Sequence, residues 1–297
     1  MKIVYFAKHD SGGNDDEGAI SYALEYLGHS VIKFQEYQEM AMQQCSGDLL
    51  LCHLLHDLKC LERVAVPKVF WCFDCIISAD PFLRERSEIR SGWIRELTRV
   101  CDLGFCADGD WVSQDDTGKL YWLTQGADER VVGKGIAGSQ KRIPLLFTGI
   151  KQGGGRQRVS WIEEIEREYG PYFLHVEKGR YGRDLADLIA RTDLVLAPDS
   201  PATDRYWGNR VYNVLGFGGS LLHPYCAGLA EQYFNGDDLL FYSGREEMHN
   251  IIRRVLDRPE QSKEMTSHGL RKTIQSHLYR HRCEEMMQVV KEKLRVN

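Results

Sequence analysis

Nowhere in this chain does an apolar run approach the ~20 residues that a membrane-crossing helix requires. The opening residues Lys2-Ile3-Val4-Tyr5-Phe6-Ala7 are too few for the core of a secretion signal and precede no small-residue cleavage pattern. A first buried strand is the expectation there, and with it a cytoplasmic protein. Positive charge is not in excess: 38 Lys and Arg face 43 Asp and Glu, a net charge of −5. Such a surface has no general attraction to nucleic acid or to an anionic membrane. The nine cysteines are odd in number and lie mostly in apolar surroundings, which argues against a disulfide scaffold and for free thiols in a reducing compartment. Low-complexity tracts and internal repeats are absent beyond a shared βα rhythm.

The length of 297 residues suits two ordinary domains. Charge is unevenly spread. Residues 251–297 hold 11 Lys and Arg against 6 Asp and Glu, so the preceding 250 residues stand at −10. Apolar runs at 2–7, 30–34, 48–53, 68–73, 102–106 and 120–123 read as strands, with helical periodicity over 17–27 and 86–100. A second series follows, with strands at 143–148, 172–176, 194–197 and 220–223 and helices at 159–169, 184–191 and 246–257. Strands alternating with helices predict parallel sheets covered on both faces, an α/β fold. The glycine-bearing stretch Thr124–Arg142 is the expected hinge. The domains are therefore placed at 1–142 and 143–280, with a closing helix over 281–297.

Candidate sites fall where strands end. The segment Lys8-His9-Asp10-Ser11-Gly12-Gly13 follows the first strand, at the carboxyl edge where α/β sheets bind ligands. Gly12 and Gly13 permit close approach of a ligand, and His9 or Asp10 has the chemistry of a general base. An Asp-rich loop that only caps the next helix fits equally well. Asp74 occupies the same edge after the strand ending at Phe73. In the second series, Thr148-Gly149 opens a loop that continues to Arg158. Its glycines allow close backbone approach, and Arg156 and Arg158 are both eligible to pair with a diphosphate. Neither a Walker sequence nor a dinucleotide fingerprint occurs in that loop. The segment Tyr206 to Pro224 then carries a short apolar stripe (Val211, Val214, Leu215), breaks at Gly218-Gly219 and resumes as a strand. Arg210 stands in the first turn, where a basic residue gains nothing from the helix dipole unless an anion is present. Metal binding is not expected: the Cys72-x-x-Cys75 pair lies in a strand-like run rather than the turn a zinc knuckle needs.

Those residues continue through Ala227–Tyr242, a charged helix, and the ending His277-Leu278-Tyr279-Arg280-His281-Arg282. The order resembles the C-terminal half of GT-B glycosyltransferases, in particular the CgeB/YkvP-like group related to glycosyltransferase family 4. The resemblance covers residues 145 to 285. It implies a GT-B fold of two Rossmann-like domains facing an inter-domain cleft, and transfer from a nucleoside diphosphate sugar, a UDP-sugar, to an acceptor hydroxyl. Retention at the anomeric carbon and independence of metal are also implied, with the nucleotide sugar as co-substrate and no other cofactor. The donor would be held by Thr148, Gly149, Arg156 or Arg158, His175, Arg180, Tyr206, Asn209, Arg210, Asn213, Gly218 and Gly219, with Gly12 and Gly13 opposite. Asn213 departs from the glutamate that family 4 enzymes carry near this place. As an uncharged partner it holds a ribose hydroxyl less strongly. The alternatives are a non-catalytic nucleotide-binding protein of the same fold, or a transferase acting on modified nucleic-acid bases. The acceptor itself is open among protein, polymer, metabolite and modified nucleic acid.

Overall fold

The computed structural model describes residues 1–9, 15–35, 46–53, 58–77, 84–135, 142–177, 181–198 and 203–296. Two compact units emerge. One comprises Met1–Ile77, Glu85–Gly126 and Tyr279–Asn297; the other comprises Ser78–Arg84 and Ala127–Leu278.

The first unit runs β1 (Lys2–Ala7), α1 (Asp16–Tyr26), β2 (Ser30–Gln35), β3 (Leu49–Cys52), α2 (Lys59–Glu62), β4 (Lys68–Cys72), α3 (Arg84–Val100), β5 (Leu103–Cys106), α4 (Gly109–Val112) and β6 (Leu120–Trp122). All strand pairs are parallel, in the order β2-β1-β3-β4-β5-β6. Central strands buried on both faces read as unbroken apolar runs rather than alternating ones. Alternate residues of β1 still divide between two cores. Ile3, Tyr5 and Ala7 join Ala19, Ile20, Ala23 and Leu24 of α1, while Val4 and Phe6 join Ile94 and Leu97 of α3. Asp15 caps α1 by accepting from Gly18 N at 2.8 Å.

The second unit runs β7 (Ile143–Thr148), α5 (Gly155–Tyr169), β8 (Phe173–Val176), α6 (Gly182–Ala190), β9 (Thr192–Leu196), α7 (Arg210–Gly216), β10 (Leu221–Pro224), α8 (Ala227–Gln232), β11 (Leu240–Tyr242), α9 (Arg245–Asp257) and α10 (Lys263–Ser276). Its sheet is again wholly parallel, in the order β11-β10-β9-β7-β8. Leu145, Leu194, Leu196 and Leu222 pack one sheet face onto Trp161 and Ile165 of α5 and onto Met248 and Ile252 of α9. The chain's last helix, α11 (Tyr279–Leu294), belongs to the first unit. Its residues Tyr279, Cys283, Met286, Met287 and Val290, spaced three and four apart, form the apolar stripe that joins the α1 core.

Numbered within each unit, both sheets follow 2-1-3-4-5, with β6 added in the first. The first strand of each lies between the second and the third, so the connections diverge there and leave a crevice at the carboxyl ends. One local expectation changes. The loop after β7 stops earlier than its glycines suggested: a single 3₁₀ turn spans Lys151–Gly154, and α5 begins at Gly155. Arg156 and Arg158 therefore sit in the first turn of a helix. The short strand β11 had no pattern long enough to be read.

Candidate functional site

In the second unit, β7 pairs with β8 so that Thr148 stands opposite Val176. One residue on, Gly149 N donates to Val176 O at 2.9 Å, and Gly149 adopts φ +125°, open to glycine but strained for any other residue. His175 Nε2 donates to Gly149 O at 2.9 Å. The turn is thus clamped from both sides. Arg210, the first residue of α7, donates from Nη2 to Thr148 O at 2.9 Å, and its guanidinium lies 4.9 Å over the Phe147 ring. A Cβ on Gly149 would stand 3.0 Å from that Nη2. Backbone, ring and glycine together fix the guanidinium at the end of β7.

Arg210 and Asn213, one helical turn apart, line a cavity of about 210 Å³ together with Thr148, Gly149, Glu177 and Tyr181. Four of the residues singled out in the sequence therefore meet at the crevice of the second sheet. Glu177, inside the stretch from His175 to Arg180 expected to hold the donor's base and ribose, joins them without having been named itself, as does Tyr181. Glu177 directly follows β8, a position that sequence periodicity marks only as a strand end.

The remaining candidates lie elsewhere. Arg158 is partly buried and donates from Nη1 to Ile150 O at 3.3 Å, bracing the turn, whereas Arg156 is exposed; neither lines the cavity. Tyr206 and Asn209 precede α7, where Asn209 O accepts from Asn213 N at 3.0 Å. Gly218 closes α7. Gly219 has no room for a side chain, because a Cβ would fall 2.4 Å from Ile189 Cγ2. Asp10, Gly12, Gly13 and Arg180 lie outside the described residues.

The crevice of the first unit carries different chemistry. Tyr5, on β1, donates its hydroxyl proton to His53 Nε2 at 2.5 Å, while His53 Nδ1 donates to Trp71 O at 2.6 Å. Burial drives the His53 pKa down to about 4, with the nearby His9 acting in the same direction. His9 packs edge-on against the Tyr5 ring at 5.1 Å, and its backbone N–H donates to Gln35 Oε1 at 2.9 Å. In the first turn of α1, burial lifts the Glu17 carboxyl to about 7, and Asp15 and Asp16 add to the rise. Burial and the field of Glu17 push the Tyr5 phenol well up. The sequence marked Tyr5 only as part of the first strand and His53 only as a structural histidine paired with His56, and did not single out Glu17; three consecutive acids at 15–17 were the available signal. Asp74 follows β4 and is engaged by Arg90 at 3.3 Å.

Two further features stand apart. A larger cavity of about 520 Å³ in the first unit is lined by Ile94, Thr98, Trp111 and Leu120, and so lies by α3 and the start of β6 rather than at the carboxyl edge. Among the described residues, one group has metal-ligand spacing: Glu164, Glu168 and His249. The two carboxylates approach opposite ring nitrogens, Glu164 at Nε2 (3.1 Å) and Glu168 at Nδ1 (3.3 Å), and Arg245 also pairs with Glu164 at 2.8 Å. Each carboxylate already pairs with a ring nitrogen, and none of the three lines the Arg210 cavity. The group ties α9 to α5. The eight described cysteines are free thiols, and among the described residues no helix is long and apolar enough to cross a membrane.

Residues 148–288, somewhat less than half the chain, match the profile of the Glycosyl transferase-like family, a stretch that takes in most of the second unit. Curated proteins gave no match by sequence. Among solved structures, HepE of Anabaena, in complex with UDP and glucose, aligns with a TM-score of 0.67 at 12% identity, over 98% of this chain and 99% of that one. Sucrose-phosphate synthase from Thermosynechococcus elongatus aligns with a TM-score of 0.68 at 10% identity, covering 98% of each chain. S. aureus MnaA, in a structure with UDP, aligns with a TM-score of 0.59 at 11% identity, over 100% of this chain and 97% of that one. At such identities the likeness shows the fold: two Rossmann-like domains of the GT-B class.

Proposed function

We propose that this protein is a glycosyltransferase that takes its sugar from a nucleoside diphosphate sugar, held by the second unit. The observation that carries the reading is the fixed guanidinium of Arg210 at the carboxyl end of β7, beside a glycine turn and in a crevice of the sheet. A cation held in place before substrate arrives stabilises a developing anion without reorganising. In the reaction proposed, the bond between the anomeric carbon and the β-phosphate oxygen breaks, and an acceptor oxygen bonds that carbon. The diphosphate leaves with the bonding electrons, where Arg210 meets its charge. The hydroxyl proton passes to the departing diphosphate, consistent with retention at the anomeric carbon and with chemistry that uses no metal.

UDP is the nucleotide proposed, since HepE and MnaA carry it. The CgeB/YkvP-like affinity is part of the same proposal and rests on the order of residues from Tyr206 to Arg282. The carboxyl edge of the first unit, with His9 and Asp74, is proposed to receive the acceptor, in a protein of the reducing cytoplasm. Arg156 and Arg158, in the first turn of α5, are proposed to give secondary support to the diphosphate. A second reading, nucleotide binding without turnover, is favoured by one observation: Asn213 offers the cavity a neutral amide where the resemblance implies a carboxylate.

Purified protein incubated with UDP-, GDP- and ADP-sugars should release nucleoside diphosphate from one of them. Arg210→Ala should lower kcat/KM by about 100-fold, the scale of losing one preorganised charged donor. If no nucleotide sugar is bound or turned over and Arg210→Ala changes nothing, the proposal fails. Tight nucleotide binding with no turnover over a broad acceptor panel selects the second reading.

A further inference from the structure

The Arg210 cavity contains a group that a pure phosphate site would exclude. Glu177 lines it together with Arg210 and Asn213. Placed against a diphosphate, a carboxylate is repulsive; placed against neutral hydroxyls, it is a strong acceptor. Among the described residues no cation or N–H donor engages the Glu177 side chain, so none of them spends its acceptor capacity. Its place in the topology is equally specific. The second unit starts with β7, passes through the glycine-bearing turn into α5, and returns along β8, whose last residue is Val176. Glu177 comes next. In dinucleotide-binding sheets, which carry a glycine fingerprint that this loop lacks, an acidic residue at the same place in the topology accepts from the ribose 2′-hydroxyl.

We infer that Glu177 is the ribose-reading residue of this site, accepting hydrogen bonds from the 2′,3′-diol, while Arg210 meets the diphosphate. This rests on the donor reading above and narrows it: the donor is a ribonucleoside diphosphate sugar, and deoxythymidine diphosphate sugars are poor substrates. It also accounts for Asn213. With the carboxylate supplied by the strand end, a second one on α7 would add a negative charge beside the diphosphate, and a neutral amide avoids it.

The test is calorimetric titration of the full chain with UDP, GDP, ADP and CDP, each against its 2′-deoxy counterpart, with pyrophosphate as a control. For the nucleotide that binds, the ribo form should be favoured by about tenfold, the loss expected for one charged hydrogen bond. Glu177→Gln should bring that ratio to within about twofold while leaving the melting temperature unchanged, because the residue is exposed. Glu177→Asp should restore part of the preference. Loss of the preference with pyrophosphate affinity unchanged supports the inference. A ratio that survives Glu177→Gln overturns it and leaves the transferase reading standing, as does a variant whose main effect is tighter pyrophosphate binding. Failure of every ribonucleoside diphosphate to bind the parent protein removes both.

Discussion

The two sheets share a strand order and differ at the same place. In the second unit the crevice between the first and third strands presents a guanidinium, a glycine turn, an amide and a carboxylate. In the first, the corresponding strands bring together a buried phenol, an imidazole that burial keeps neutral, and a carboxyl lifted to about 7. Topology supplies a crevice twice, and the side chains at the strand ends decide what each can hold. The fixed cation suits one crevice to a diphosphate. The uncharged, titratable groups of the other suit it to partners that exchange protons or hydrogen bonds.

The sharpest way to break the contrast, after Arg210→Ala, is Gly149→Ala. It forces a non-glycine residue to φ +125° and sets a methyl group 3.0 Å from Arg210 Nη2. Strain of about 1–3 kcal/mol is expected, together with a loss of UDP affinity of at least about tenfold, measured by denaturant unfolding and by titration. Intact affinity would mean that the clamp on Arg210 is incidental. In the first unit, Tyr5→Phe leaves His53 Nε2 without the hydroxyl it accepts from, a destabilisation of about 1–3 kcal/mol, and UDP affinity should be unaffected. A UDP effect as large as that of Gly149→Ala would erase the division between the crevices.

A pH titration separates Glu17 from His53. Glu17 has its folded pKa raised from 4.5 to about 7, so the folded state holds the extra proton. Its contribution is present below 4.5 and lost as pH rises to 7. His53 has its folded pKa lowered from 6.5 to about 4, so its contribution is present above 6.5 and lost as pH falls to 4. The two oppose each other in the overlap. Glu17→Gln should remove the Glu17 slope and keep that of His53, raising stability at pH 8 relative to pH 5 by about 1–2 kcal/mol compared with the parent. An unchanged pH profile of the melting temperature would show that Glu17 titrates normally. The smallest effects belong to α5: Arg158→Ala, which removes the brace on Ile150 O, should weaken UDP binding a few-fold, and Arg156→Ala less. A larger loss from Arg156→Ala would move the diphosphate towards that helix.

Reading the strands was straightforward wherever both faces are buried. Lys2–Ala7 and Ile143–Thr148 are nearly unbroken apolar runs, and both are first strands as the pattern requires. Leu240–Tyr242 was unreadable, because three residues carry no period. Arg210 and Asn213 could be picked out because a cation at a helix start and a polar residue one turn on are locally unusual. The stretch from His175 to Arg180 was expected at the donor, but Glu177 within it was not named, because an acidic residue after a strand is ordinary until the turn after β7 is seen beside it. Tyr5 and His53 were hidden by distance, 48 residues apart in the chain and joined only by the pairing of β1 with β3.

Local patterning thus determined the α/β class, the parallel sheets, the exclusion of a membrane helix among the described residues and the arginine at the head of α7. Only the tertiary structure decided which groups share a crevice: that Arg210 is held by Thr148 O over Phe147, that Glu177 stands with it, and that His53 stays neutral. Periodicity depends on neighbours in sequence, which the chain itself displays. Charge state and cavity lining depend on burial and on strand order, and these exist only once residues far apart in the chain are brought side by side.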